Sequence, residues 1–277
     1  MRVFISVDME GIVGVVSLKH VISDSKEYER ARKWMTLEVK AAVEALHETD
    51  AENIVVADSH GSMINLLIEE LPEYVDVVTG FPRATCMVAY IDKGFDTALF
   101  LGYHSKKGTI HSILDHTISG STIQRIKING FEVSEFWLNA AVAGYYNVPI
   151  SLVTGDDKLI EHAKNTIPNI ETVVTKYALG RRAALTKHPK TIEKEIRKAV
   201  PKAIEKVKKE QIAPFKPQPP FNVELEFTDS TMADVAELIP IVKRIQGNIV
   251  GYTTQDIVEA YKIMEALIIM AVGIQKR

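Results

Sequence analysis

Asp8, Glu10, Asp58, His60 and His104 obey one rule of placement: each stands just beyond a short apolar run with the composition of a buried β-strand. In open α/β sheets the carboxyl ends of parallel strands converge on one edge, where ligands bind. Segments far apart in sequence would thus aim carboxylates and imidazoles at a common point. Oxygen and ring-nitrogen donors together suit zinc and other borderline divalent metals. In Asp8-Met9-Glu10 the i, i+2 spacing turns both carboxylates the same way on extended backbone. Two such carboxylates repel unless a cation lies between them, and a carboxylate can bridge two cations, so Asp8 is the natural shared ligand. Asp58-Ser59 also admits a plainer reading as a turn or helix cap. His111 and His116 lie in a Gly/Thr/Ser-rich stretch, residues 108–121, that reads as an active-site loop or as an ordinary surface loop. His20, His47, His162 and His188 have polar or surface-helix neighbours and are expected to be solvated.

The elements that must position these residues are legible as alternating strands and helices. Strands are expected at 2–7, 53–57, 75–79, 97–101, 123–128 and 150–154. Apolar residues spaced by three or four predict an amphipathic helix over 27–46, with further helices over 133–146 and 156–165. This pattern implies a three-layer α/β sandwich with a mostly parallel sheet. The second half changes character. Residues 181–216 carry a local charge excess of +8, against -11 for the rest of the chain, and Ile192, Ile196, Val200, Ile204 and Val207 keep a helical stripe through it. Pro201 is expected to kink or restart that helix. The proline-rich stretch 214–220 reads as an extended connector. It leads to a strand at 222–227, a helix at 232–238, a hairpin over 241–253 and a final helix at 256–272. The domain division expected is 1–177 as an α/β metal-binding catalytic domain and 178–277 as a basic helical connector with a small α+β domain.

Composition narrows the function. The 277 residues are 46% hydrophobic and 25% charged with a net charge of -3, an ordinary globular balance that argues against wholesale nucleic-acid binding. The lone Cys86 forms no internal disulfide and points to a reducing compartment. A first strand beginning at Arg2 leaves no room for a leader, and the apolar run 266–272 is too short to span a bilayer. A cytoplasmic protein without membrane association is expected.

Several stretches resemble the zinc D-aminopeptidases of the dipeptide-transport-operon type. They are Ser6-Val7-Asp8-Met9-Glu10-Gly11-Ile12, Tyr28-Glu29-Arg30 with Met35-Thr36 and Glu38, Asp58-Ser59-His60 with Met63, Asn65 and Leu66, and Leu99-Phe100-Leu101-Gly102-Tyr103-His104. The likeness continues through Ile128-Asn129-Gly130 with Glu135, Leu138-Asn139-Ala140 with Ala143-Gly144-Tyr145-Tyr146, and Gly155-Asp156-Asp157, then thins past Lys176. The resemblance implies two Zn²⁺ per subunit held by Asp8, Glu10, His60, His104 and Glu135. Four of these coincide with the strand-end residues; Glu135 comes from the resemblance alone. It also implies a catalytic His downstream of Gly102-Tyr103-His104. His116 in Leu114-Asp115-His116-Thr117 matches best, through a loop one residue longer than the family pattern and with Asp115 in place of a small hydroxyl residue. His111-Ser112 is the rival alignment. The implied activity is removal of the N-terminal residue of short peptides, D-Ala-containing ones above all, by metal-activated water. His116 would serve as acid/base rather than nucleophile, and a metal or Asp115 would read the free amine. The implied assembly is a ring of two stacked pentamers, a homodecamer around an inner chamber. Two other readings stand beside this one. A metal phosphoesterase lacks a phosphate-clamping Arg or Lys near the strand ends other than Lys106 and Lys107. A non-catalytic binding protein would use the basic 181–216 segment, whose apolar stripe reads more simply as a packed helix with a solvated face.

Overall fold

A computed structural model describes residues 1–49 and 51–275. In chain order the elements are β1 (Arg2–Val7), α1 (Leu18–Val21), α2 (Lys26–His47), β2 (Asn53–Asp58), β3 (Val75–Val78), β4 (Thr97–Tyr103), β5 (Ile123–Ile128), β6 (Phe131–Glu132), α3 (Glu135–Tyr145), β7 (Ile150–Asp156), α4 (Asp157–Thr166), β8 (Glu171–Gly180), β9 (Ala183–Thr186), α5 (Pro189–Lys208), β10 (Phe221–Phe227), α6 (Ser230–Ala236), β11 (Lys243–Gln246), β12 (Ile249–Thr254) and α7 (Ile257–Gln275). A seven-stranded sheet runs β3-β2-β1-β4-β7-β8-β9, parallel throughout except for the β8–β9 edge pair. Period-two alternation explains how β1 serves two cores. Val3, Ile5 and Val7 pack toward α2 and α5, whereas Phe4 packs with α3 and α7 on the opposite face. The mostly parallel sandwich expected from the sequence is what the chain forms, with a separate antiparallel sheet ordered β11-β12-β10-β5-β6.

Three features depart from expectation. The two sheets interleave in sequence: β5 and β6 leave the first half to pair with β10, and α5 returns from the second half to pack along α2. The division at 177/178 therefore does not follow the sheets. The β8–β9 hairpin was not foreseen, because its mixed polar sequence suits an edge rather than a buried strand. Finally, α5 runs unbroken through Pro201. Pro201 lies on the exposed side of the helix, while Ile192, Ile196, Val200 and Ile204 stay buried. Basic residues of the 181–216 segment pair with acids of the same fold, Arg197 with Glu44, Lys187 with Glu195 and Lys206 with Glu171. The basic segment is thus a packed helix with a charged outer face. Among the described residues no helix is long and apolar enough to cross a membrane.

Candidate metal centre

The strands β2, β1 and β4 are neighbours in the sheet, so the residues beyond their carboxyl ends meet. Asp8 lies between two imidazoles. His60 Nδ1 is 3.2 Å from Asp8 Oδ1 and 3.0 Å from Glu10 Oε2, and His104 Nε2 is 3.4 Å from Asp8 Oδ2. Glu135, in the first turn of α3, brings Oε1 to 3.3 Å from His104 Nε2 and 3.7 Å from His116 Nε2. That turn also places Glu135 where the helix dipole favours an anion. The His104 and His116 rings stack with centroids 4.1 Å apart. Ligand atoms of Asp8, Glu10 and His104, and again of His104, His116 and Glu135, lie within 4.8 Å of one another.

Each imidazole has one nitrogen committed and one free for the centre. His60 Nε2 donates to Val21 O (2.8 Å), His104 Nδ1 to Ser105 O (2.9 Å) and His116 Nδ1 to Leu114 O (2.9 Å). Such outer hydrogen bonds fix tautomer and ring orientation for metal binding. Asp8 Oδ2, Glu10 Oε2 and His104 Nε2 are buried without any hydrogen-bond partner. Three orphaned donors in one cluster are what a buried cation site requires, since unpaired buried polar atoms are otherwise costly. Three carboxylates and three imidazoles fit Zn²⁺.

The electrostatics agree. Burial, reinforced by Glu10, pushes the Asp8 carboxyl up to about 7. Burial works against the Glu10 charge too, yet His60 outweighs it and holds Glu10 well below the carboxylate range. Burial disfavours protonated His60 and His104, but Glu10 and Glu135 respectively outweigh it and hold both well above the usual imidazole value. His116 is held below its ordinary value by burial and by neighbouring His104.

The backbone around the cluster is tightly braced. Gly11 N donates to Gly102 O (2.7 Å), and a Cβ on Gly11 would come 2.0 Å from Tyr103 O, so only glycine fits. The fully buried Lys176 Nζ donates to the carbonyls of Glu10, Ile12 and Val15 at 2.6, 2.6 and 2.7 Å. Glu38 accepts from Val13 N at 2.8 Å. Asp58 accepts from the amides of Asn65 and Leu66, the turn role its Asp-Ser context suggested, and Asn65 in turn donates to His60 O. The His116 loop is pinned by Asp156, which accepts from Ser112 Oγ and Ile113 N at 2.8 and 2.7 Å. A buried chain through Ser6, Tyr103, Asn139 and Tyr261 joins the site strands to α3 and α7.

Other expectations change. Asp115 does not line the cavity: its carboxylate is engaged by Arg181 Nε at 2.6 Å and Gly108 N at 2.5 Å, which hold it away from a substrate amine there. His111 is exposed, bonded to Leu179 O at 3.1 Å and away from the cluster, while His116 borders the cavity. His162, expected to be solvated, is half-buried, bonded to Ser134 Oγ at 2.9 Å and set edge-on to Phe136. The cavity holds about 280 Å³ and runs from Asp8, His60, His116 and Glu135 to a wall that includes Glu265 and Ile268 of α7. Sequence reasoning missed that wall, although Glu265 is a lone charge on the Tyr261-Met264-Ile268 face of a helix that is otherwise apolar there. Among the described residues no Lys or Arg lines the cavity. Lys106 pairs with Glu132, and Lys107 donates to backbone carbonyls, which removes the phosphate clamp a phosphoesterase would need.

A family model described as D-aminopeptidase matches residues 1–266. The D-aminopeptidase of Bacillus subtilis (strain 168) is 32% identical over 265 residues, covering 95% of each chain. A solved structure, the Zn-dependent D-aminopeptidase DppA from Bacillus subtilis, described as a self-compartmentalizing protease, superposes with a TM-score of 0.93 at 32% identity, covering 98% of each chain.

Proposed function

The chain belongs to the D-aminopeptidase family, and from that premise we propose that it is a zinc aminopeptidase removing N-terminal D-residues from short peptides. The observation that carries the reading is the set of orphaned buried atoms, Asp8 Oδ2, Glu10 Oε2 and His104 Nε2, in a cluster that meets a peptide-sized cavity through Asp8, His60 and Glu135. Asp8, Glu10, His60, His104 and Glu135 would hold two Zn²⁺ per subunit, with Asp8 shared. Zinc supplies Lewis acidity to carbonyl hydrolysis. The chain supplies the rest. The committed imidazole nitrogens keep the ligands oriented, and the α7 wall excludes bulk water from one side.

His116 is the proton carrier. Leu114 O fixes its Nδ1 proton, so Nε2 is the basic atom at the cavity, and its lowered proton affinity keeps it neutral at pH 7. Nε2 accepts the proton that water gives up as it adds to the scissile carbonyl. It returns that proton to the amide nitrogen as the C–N bond breaks and the amine departs. The Bacillus relative's description as self-compartmentalizing supports a compartment here, and exposed Leu179 and Leu185 on the β8–β9 edge support burial between subunits. The assembly proposed is a cytoplasmic homodecamer of stacked rings.

Purified protein should contain close to two zinc ions per chain and hydrolyse D-Ala-type dipeptides but not their N-acetyl forms. Chelation should abolish turnover and Zn²⁺ restore it. Full activity in metal-free protein, or equal turnover of blocked and free peptides, refutes the reading. Native mass should be many times 30.9 kDa, and a monomer refutes the chamber.

A further inference from the structure

We propose that Glu265, on the α7 wall of the cavity, receives the substrate's free α-ammonium group and thereby makes the site selective for unblocked N-termini; this rests on the aminopeptidase reading. An aminopeptidase must sense a cation one bond from the α-carbon whose carbonyl it attacks, and a buried carboxylate does this best. Among the described residues three carboxylates line the cavity: Asp8, Glu135 and Glu265. The first two belong to the ligand cluster, and Asp115 is held by Arg181 and Gly108. Glu265 remains.

Its side chain is only 5% exposed, so it is enclosed rather than solvated. Among the described residues its Oε2 has no hydrogen-bond partner, although the Cys86 thiol, also in the cavity wall, hydrogen-bonds to the same carboxylate. Arg83, which acts on it electrostatically, does not satisfy it. Arg83 spends its guanidinium on Met63 Sδ and on the carbonyls of Asp58 and Val78. A buried carboxylate oxygen left bare in an apolar wall is costly unless a cation arrives. The surrounding Met63, Phe81 and Ile268 leave it as the polar group of that wall, able to orient an ammonium while the apolar surface holds a small side chain.

The test compares inhibition of D-Ala-p-nitroanilide hydrolysis by D-alanine and by D-lactate, which differ in the amine alone, using the zinc-loaded enzyme. Wild type should prefer D-alanine. In Glu265→Gln that preference should fall by about 10- to 100-fold, the worth of one charge-assisted hydrogen bond, with D-lactate inhibition and zinc content unchanged. Glu265→Asp should recover part of the preference and guards against a misfolded Gln variant. A preference for D-alanine kept intact in an active Glu265→Gln enzyme overturns the proposal. So does equal weakening of both inhibitors, which marks a structural role, or a change confined to substrates with cationic side chains. Absence of any turnover by the wild type sinks the aminopeptidase reading instead.

Discussion

Replacing Lys176 by Met tests whether the ligand-bearing loop is braced from beneath. Methionine preserves length and apolar bulk but removes the ammonium that donates to Glu10 O, Ile12 O and Val15 O at 2.6 to 2.7 Å. Hydrogen bonds from a charged donor contribute about 1.5–3 kcal/mol each, so three give about 5–9 kcal/mol. Against this stands the cost of burying the charge. Burial lowers Lys176 from 10.5 to about 8, which at about 1.4 kcal/mol per unit is about 3 kcal/mol. The net loss expected for Lys176→Met is therefore about 2–6 kcal/mol. Part of it is spared at Ile12 O, which also accepts from Val15 N. For a chain of this size that corresponds to a melting point lower by roughly 5–15 °C in thermal denaturation. Because Asp8 and Glu10 ride on the same loop, zinc affinity measured by competition with a chromogenic chelator should fall about 10- to 100-fold, as it does when groups supporting metal ligands are lost. A variant that melts within about 1 °C of wild type and holds zinc equally well refutes the bracing argument.

His116→Ala should keep its metals and lose about 10²–10⁴-fold in turnover, with a smaller loss on p-nitroanilides, whose departing amine needs less protonation. Metal lost together with activity would instead make His116 a ligand, and the exposed His111→Ala should behave as wild type. Glu38 gives a pH test. Burial raises its carboxyl from 4.5 to about 7, so the folded protein binds more protons than the unfolded chain between those values, and stability falls as pH rises through them. Glu38→Gln keeps the bond from Val13 N and removes the charge. Its stability relative to wild type should be unchanged below pH 4.5 and better by up to about 3 kcal/mol at pH 8 in urea titrations. A difference that does not vary with pH refutes that assignment.

The part of the site readable from sequence was the part built by sheet neighbours. Asp8, Glu10, His60 and His104 follow strands whose order, β2-β1-β4, makes them adjacent, so the strand-end rule alone gathered them. Glu135 escaped that rule because it opens a helix after a hairpin of the other sheet, and only the family likeness pointed to it. Asp115 looked free because its partner, Arg181, is 66 residues away. Glu265 was masked by the apolar run that follows it: periodicity marks a buried face without saying that the face borders a cavity. The same blindness to long-range pairing hid the exchange of β5 into the second sheet. No local pattern in residues 123–128 distinguishes a parallel core strand from one that pairs with a strand near residue 225.

That exchange sets an order of events during synthesis. The loop bearing His116 and the turn bearing Glu135 flank the β5–β6 hairpin, and the strand that completes this hairpin's sheet, β10, is made nearly a hundred residues later. Such distant pairings form slowly and late, whereas β1, β2 and β4 lie within the first 103 residues. A growing chain therefore carries Asp8, Glu10, His60 and His104 on its earliest strands before it acquires Lys176 to brace their loop, the β10 strand that completes the sheet between His116 and Glu135, or the α7 wall. The complete centre is thus finished last, when nearly the whole length of the chain has left the ribosome.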